Sequence, residues 1–257
     1  MTRGAMFLRD ARTGSAMLWW TVLLMLGGFA ICSALPFVDG RLLIGVSVWE
    51  KPAKFFLSLA IQFITVSWAL SLIQARSRGI RIVIGTMVAA AVLELIVITG
   101  RAARGEASHF NVGTTFDAAL YTAMGVGALT LTLTAATIGI AVWRQRRGNI
   151  WAEAAGLGLA LGAILATATA GYLSSLGSNW IGGDMNDATG LPFFHWSTSG
   201  GDLRVSHFIG LHAAQVVPLA ALSGQRLVIY SAATGVALAT VATFVQALAG
   251  IPLFALG

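Results

Sequence analysis

The sequence predicts an all-α integral membrane protein of seven transmembrane helices, with the N-terminus cytoplasmic and the C-terminus outside. Three observations carry this. The 257 residues are 57% hydrophobic and only 10% charged, with a mean hydropathy of +0.81, whereas soluble domains are about 25% charged. The apolar residues fall into seven runs, each with roughly the 20 residues needed to cross a hydrocarbon core. The arginines cluster in short segments between those runs, where they act as topology signals. The net charge of +6 therefore does not indicate nucleic acid.

Taken in order, Arg3, Arg9 and Arg12 precede the first run, 17–35. A charged start before an apolar stretch also describes a cleaved signal peptide. The run is long enough to span, so it is read as a retained helix, with the single Cys32 a packed thiol. A charged loop, 36–54, leads to helix 2 (55–75), which Arg76, Arg78 and Arg81 close. Helix 3 (82–100) contains Glu94, and a polar loop carries Arg101, Arg104, Glu106 and His109. Helix 4 (117–142) ends in Arg144, Arg146 and Arg147. Helix 5 (151–174) includes Gly156, Gly158 and Gly162, small residues that let helix backbones approach closely in lipid. The longest connection, 175–204, is polar and glycine-rich. Helix 6 (205–223) carries Pro218, a predicted kink, and helix 7 (227–250) completes one domain without an internal repeat.

Ten positive residues lie on one side: Arg3, Arg9, Arg12, Arg76, Arg78, Arg81, Arg144, Arg146, Arg147 and Arg226. Six lie on the other: Arg41, Lys51, Lys54, Arg101, Arg104 and Arg204. The richer side is expected to be cytoplasmic, in the inner (plasma) membrane of a bacterium. All four histidines, His109, His195, His207 and His212, then fall at or just below the outer surface. The inner halves of the spans are expected to be dry, with serine and threonine but no ionisable side chain.

An intramembrane carboxylate is costly and by default marks a functional site. Glu94 lies about 10 Å below Arg101 at 1.5 Å per residue, and Gln62 and Gln215 each lie about 12 Å deep by the same count. These residues, with Gln246 and His212, are expected to surround one polar cavity open to the outside. Glu94, His212 and Asp117 are the candidate catalytic residues. Gln62, Arg101, Arg104, Arg204, Gln215 and Gln246 are the candidate substrate contacts, the arginines as clamps for an anionic group. His109, His207, His212 and Glu94 are the candidate ligands of zinc, iron, copper or haem, since histidine and carboxylate together suit such metals. His207 and His212 point about 140° apart on a regular helix, so they would need ligands from other segments.

Other readings accompany each. Glu94 is placed to pair with Arg101 on one helix face, and the glutamines to serve as interhelical hydrogen bonds. Asp202, Arg204 and Ser206 are placed to cap helix 6, and Lys51 and Lys54 to anchor lipid headgroups. Seven helices are shared with rhodopsins and with ceramidase-like hydrolases, but helix 7 has neither the lysine nor the histidine those proteins need. The leading expectation is a membrane-embedded enzyme or redox protein acting on a lipidic or quinone-like substrate. The alternatives are a small-molecule transporter or channel, disfavoured by the lack of a visibly broken helix, and a non-catalytic receptor or assembly subunit using its outer loops.

Overall fold

Caps and breakers in the sequence set most helix boundaries. The computed structural model describes residues 16–73 and 77–255; Arg3, Arg9, Arg12, Arg76 and the end of the second predicted span lie outside them. The helices are α1 (Ala16–Ala34), α2 (Glu50–Ser71), α3 (Arg78–Arg104), α4 (Thr115–Arg144), α5 (Ile150–Leu176), α6 (Leu203–Leu211), α7 (Ala213–Leu219) and α8 (Arg226–Leu248). Ser77, Thr114 and Asn149 cap α3, α4 and α5 by accepting backbone N–H bonds, and Gly105 and Gly177 end α3 and α5 in the left-handed conformation. Two two-residue antiparallel ladders, β1 (Leu42–Leu43) with β2 (Val46–Ser47) and β3 (Trp180–Ile181) with β4 (Gly201–Asp202), tie down loops.

Six helices, α1 to α5 and α8, are long and apolar enough to cross a membrane. Their outward faces carry large apolar side chains such as Trp20, Ile82, Val126 and Leu238, each more than 60% exposed, as lipid contact requires. Together with the turn Ala220–Ser223, α6 and α7 meet the same test as a pair bent by 45°. This pair lies antiparallel to α8. Gly201, just before α6, packs on Ala247 near the end of α8. At the opposite end, Arg226 at the start of α8 reaches Glu153 at the start of α5.

The bend departs from the sequence expectation. It falls at His212, not Pro218, because the His212 Nδ1 donates to the Phe208 carbonyl (2.8 Å) at the point where the helix breaks. Gly158 and Gly162 let α5 approach that break: a Cβ on Gly158 would lie 2.7 Å from the Ala213 carbonyl and 2.9 Å from Pro218 Cδ. A second departure is at α2, which starts at Glu50 and not at 55. Glu50 suits the positive end of the helix dipole and Pro52 suits its first turn, so Lys51 and Lys54 stand on the helix.

The main apolar core lies toward the end of the bundle that holds the short arginine-rich connections. Phe63, Val66 and Leu70 of α2 meet Ile84 and Met87 of α3, Ile138 and Val142 of α4, and Leu159 of α5 there. The opposite end holds the long loops, 35–49, 105–114 and 177–202. Cys32 is buried among Val48, Trp49, Ala53 and Ala102 beneath those loops, a packed free thiol as the sequence implies.

Candidate functional site

A helix that enters the bundle at Lys51 places every third or fourth side chain on one inward stripe. On α2 that stripe is Lys51, Phe55, Ser58, Gln62 and Thr65. At its floor, Gln215 of α7 donates through Nε2 to Gln62 Oε1 (3.2 Å) and Thr65 Oγ1 (3.0 Å). The apolar core closes below this triad. Above it, Gln62, His207, His212 and Gln215 are each half-buried, which outlines a candidate crevice among α2, α6 and α7 toward the loop end.

Glu94 on α3 is 3% exposed, and its Oε1 has no hydrogen-bond partner among the described residues. It fits because position 127 of α4 is glycine: a Cβ there would lie 2.7 Å from Oε1. Arg101 does not pair with it. That guanidinium is taken by Glu106 and Asp117, while Asp117 also accepts from the Thr114 hydroxyl and backbone N–H 117 is capped. Lys51 is within electrostatic reach of Glu94, Asp187 and Arg204. Lys51 itself is exposed and forms no ion pair within 4 Å among the described residues. Glu94 and Lys51 thus influence one another electrostatically without forming an ion pair.

The histidines approach from the other side. His109, in the loop after α3, packs against Phe55 (5.9 Å between ring centres) and Tyr121 (6.1 Å) and bonds to Ser108 Oγ (3.1 Å). Burial first, then the charge of Lys51, hold its ring well below the ordinary histidine value of 6.5, so it is neutral. His207 Nδ1 lies 3.0 Å from the Thr169 hydroxyl. That hydroxyl donates to the Leu165 carbonyl (2.8 Å), so it accepts from Nδ1–H and leaves His207 Nε2 as a bare acceptor. His212 is in the same tautomer, its Nδ1–H spent on the Phe208 carbonyl.

The metal expectation is not met. Among the described residues no group of three or more His, Cys, Asp or Glu is placed to hold an ion. His109, His207, His212 and Glu94 come from four segments, and each histidine has its own local hydrogen bond in place of a shared centre. Haem, which would draw its axial ligand from the same residues, gains no support from them.

The arginine clamps are also otherwise engaged. Arg104 pairs with Glu106 (2.8 Å). Arg204 pairs with Asp202 (2.7 Å) and Asp187 (2.8 Å) and donates to the His195 carbonyl (2.6 Å). Asp202 caps α6, accepting from Arg204 N–H (3.0 Å), as the capping alternative held. Gln246 is not brought to the crevice: it donates to the Pro252 carbonyl (2.7 Å) and lies beside Asp202 and Val205.

Loop 177–202 straps the mouth. Lys54 sits under the Phe193 ring at 5.6 Å and pairs with Glu50 (3.1 Å), and Glu50 lies 3.6 Å from His195 Nε2. Phe194, Trp196, Phe208 and His212 form a continuous chain of ring contacts from strap to helix break. Phe193 (φ 68°) and His195 (φ 58°) hold left-handed backbone without being glycine, strain of a kind that gathers at functional sites.

Sequence reasoning missed Lys51 as a crevice residue because it began the helix after it. It also missed Gly127, whose role shows only once α3 and α4 are packed, and Thr169, which sets a histidine tautomer across helices. No protein-family model matches the chain, and no curated protein or solved structure matches it.

Proposed function

We propose that the chain is a bilayer-embedded acid–base or redox enzyme whose crevice, facing the outer side of the membrane, works on a lipidic substrate with ionisable hydroxyl or carbonyl oxygens, quinol and quinone being the type. The observation that carries this is Glu94, buried with an unpartnered oxygen and within electrostatic reach of Lys51, which forms no ion pair among the described residues. A buried polar group without a partner costs about 1–3 kcal/mol, a cost that a bound ligand removes. The chemistry follows from the donor and acceptor inventory. His207 and His212 offer Nε2 acceptors and Glu94 a carboxylate, so the crevice can take protons from substrate hydroxyls. Lys51 supplies the cation that stabilises the oxyanion left behind. The acceptor for any electrons would be a separate oxidant.

Facing outward follows from the positive-inside rule applied to the two ends. Binding of a short-chain quinol to protein in nanodiscs, with proton release followed by a pH dye, tests the reading. Wild type should bind and release protons. Glu94→Gln should abolish the release, and Lys51→Gln should weaken binding about tenfold. Absence of both signals from wild type would remove the enzyme reading.

The break at His212 favours a second reading. A helix interrupted beside a polar site is a feature of carriers, and it removes one of the grounds against transport, leaving the absence of an internal repeat and of polar residues through the inner half. Flux of the same ligand in proteoliposomes, dependent on Glu94, would put transport first.

A further inference from the structure

The expectation that the inner halves of the spans hold no ionisable residue is not met: Glu153, inside the predicted fifth span, lies there in the first turn of α5, 4% exposed. Its carboxylate organises a basic pocket. Arg226 Nε donates to Oε2 (3.1 Å), Tyr230 OH donates to Oε1 (2.7 Å), and Arg146 Nε stands 3.8 Å away. Arg144, Arg146, Arg147, Gly148, Glu153, Arg226 and Tyr230 line a pocket of about 460 Å³.

Four guanidiniums face one carboxylate in that lining, so the pocket carries an excess of three positive charges. The excess is directed, not diffuse. Arg146 is fixed over the Trp143 ring (4.3 Å) and donates to the Trp143 carbonyl (2.8 Å). Arg147 sits in left-handed backbone (φ 42°) before Gly148 (φ 83°), so the chain turns tightly enough to set three arginines around the start of α5. Arg144 and Arg147 have no hydrogen bond or ion pair among the described residues. Two positioned arginines and two free ones, beside a tyrosine hydroxyl, fit the several oxygens of a phosphate better than a single carboxylate. Trp143, under Arg146, is an aromatic of the kind found where side chains meet lipid headgroups.

We propose that this pocket is a binding site for a phosphate group, either the headgroup of an anionic phospholipid or a free phosphate compound. Glu153 is its positioning residue: it anchors Arg226 and Arg146 on one carboxylate oxygen. Arg144 and Arg147 are the direct contacts.

The test uses the full chain in phosphatidylcholine nanodiscs. Phosphatidylglycerol added to the discs is counted by native mass spectrometry, and inorganic phosphate is titrated by calorimetry. Retention of phosphatidylglycerol alone assigns a lipid site, and uptake of inorganic phosphate assigns a soluble one. In either case Arg144→Gln with Arg147→Gln should weaken binding about tenfold or more. Arg144→Lys with Arg147→Lys keeps the charge needed for insertion and should weaken it less. Arg78→Gln with Arg81→Gln, outside the pocket lining, should leave it unchanged. The proposal is overturned if wild type binds neither probe, or if the two glutamine pairs weaken binding equally.

Discussion

At the scale of residues, the site turns on groups that lack partners. Glu94→Gln keeps the shape and removes a charge whose Oε1 makes no bond, so the variant should melt no lower than wild type in detergent while losing ligand-linked proton release. Gly127→Ala is the complementary change. Its Cβ would meet Glu94 Oε1 at 2.7 Å, so it should cost about 1–3 kcal/mol as overpacking does and also impair binding. His109 supplies the pH dependence. Its folded value lies below 6.5, so between the two values the unfolded chain binds a proton that the folded chain does not. Stability is therefore full above about pH 6.5 and declines as the pH falls toward the folded value. His109→Gln should flatten that part of a melting-temperature profile, and an unchanged slope would assign it to another group. Glu106 acts lower on the scale: bonds from Arg101 and Arg104 hold its carboxyl below the ordinary 4.5, so its contribution persists until the pH falls through that lowered value.

At the scale of elements, the sequence revealed depth better than direction. Gln62 and Gln215 were matched by counting residues down from their helix ends, and they meet. Hydropathy placed all the long helices because lipid demands about 20 apolar residues per span. The partner of Arg101 was not legible, since Glu94 on its own helix and Asp117 on the next compete, and only packing decides for Asp117. The break at His212 was hidden too. Proline has a sequence signature, whereas a histidine ring that bonds its own helix and meets two glycines of α5 has none. Gly158→Val tests that packing. The added atoms would press on the Ala213 carbonyl and Pro218, so it should cost roughly 1–3 kcal/mol, read as a lower melting temperature in detergent.

At the scale of the molecule, the charge asymmetry predicts which end faces which compartment. In a Cys32→Ala background, Ser77→Cys should react only from the cytoplasmic side and Ser199→Cys only from outside; the opposite pattern would turn the crevice inward. Both sites lie in loops, between α2 and α3 and in the strap. The hydrogen bonds at the crevice floor also constrain how the chain is made. Gln62 and Thr65 are bonded by a residue 153 and 150 positions later. At translation rates of about 5–20 residues per second, that separation is roughly 8–30 s. During that interval α2 would stand in the bilayer with its amide unanswered, so the nascent protein has a natural moment at which an insertion chaperone can hold it, and release would come with the arrival of α7.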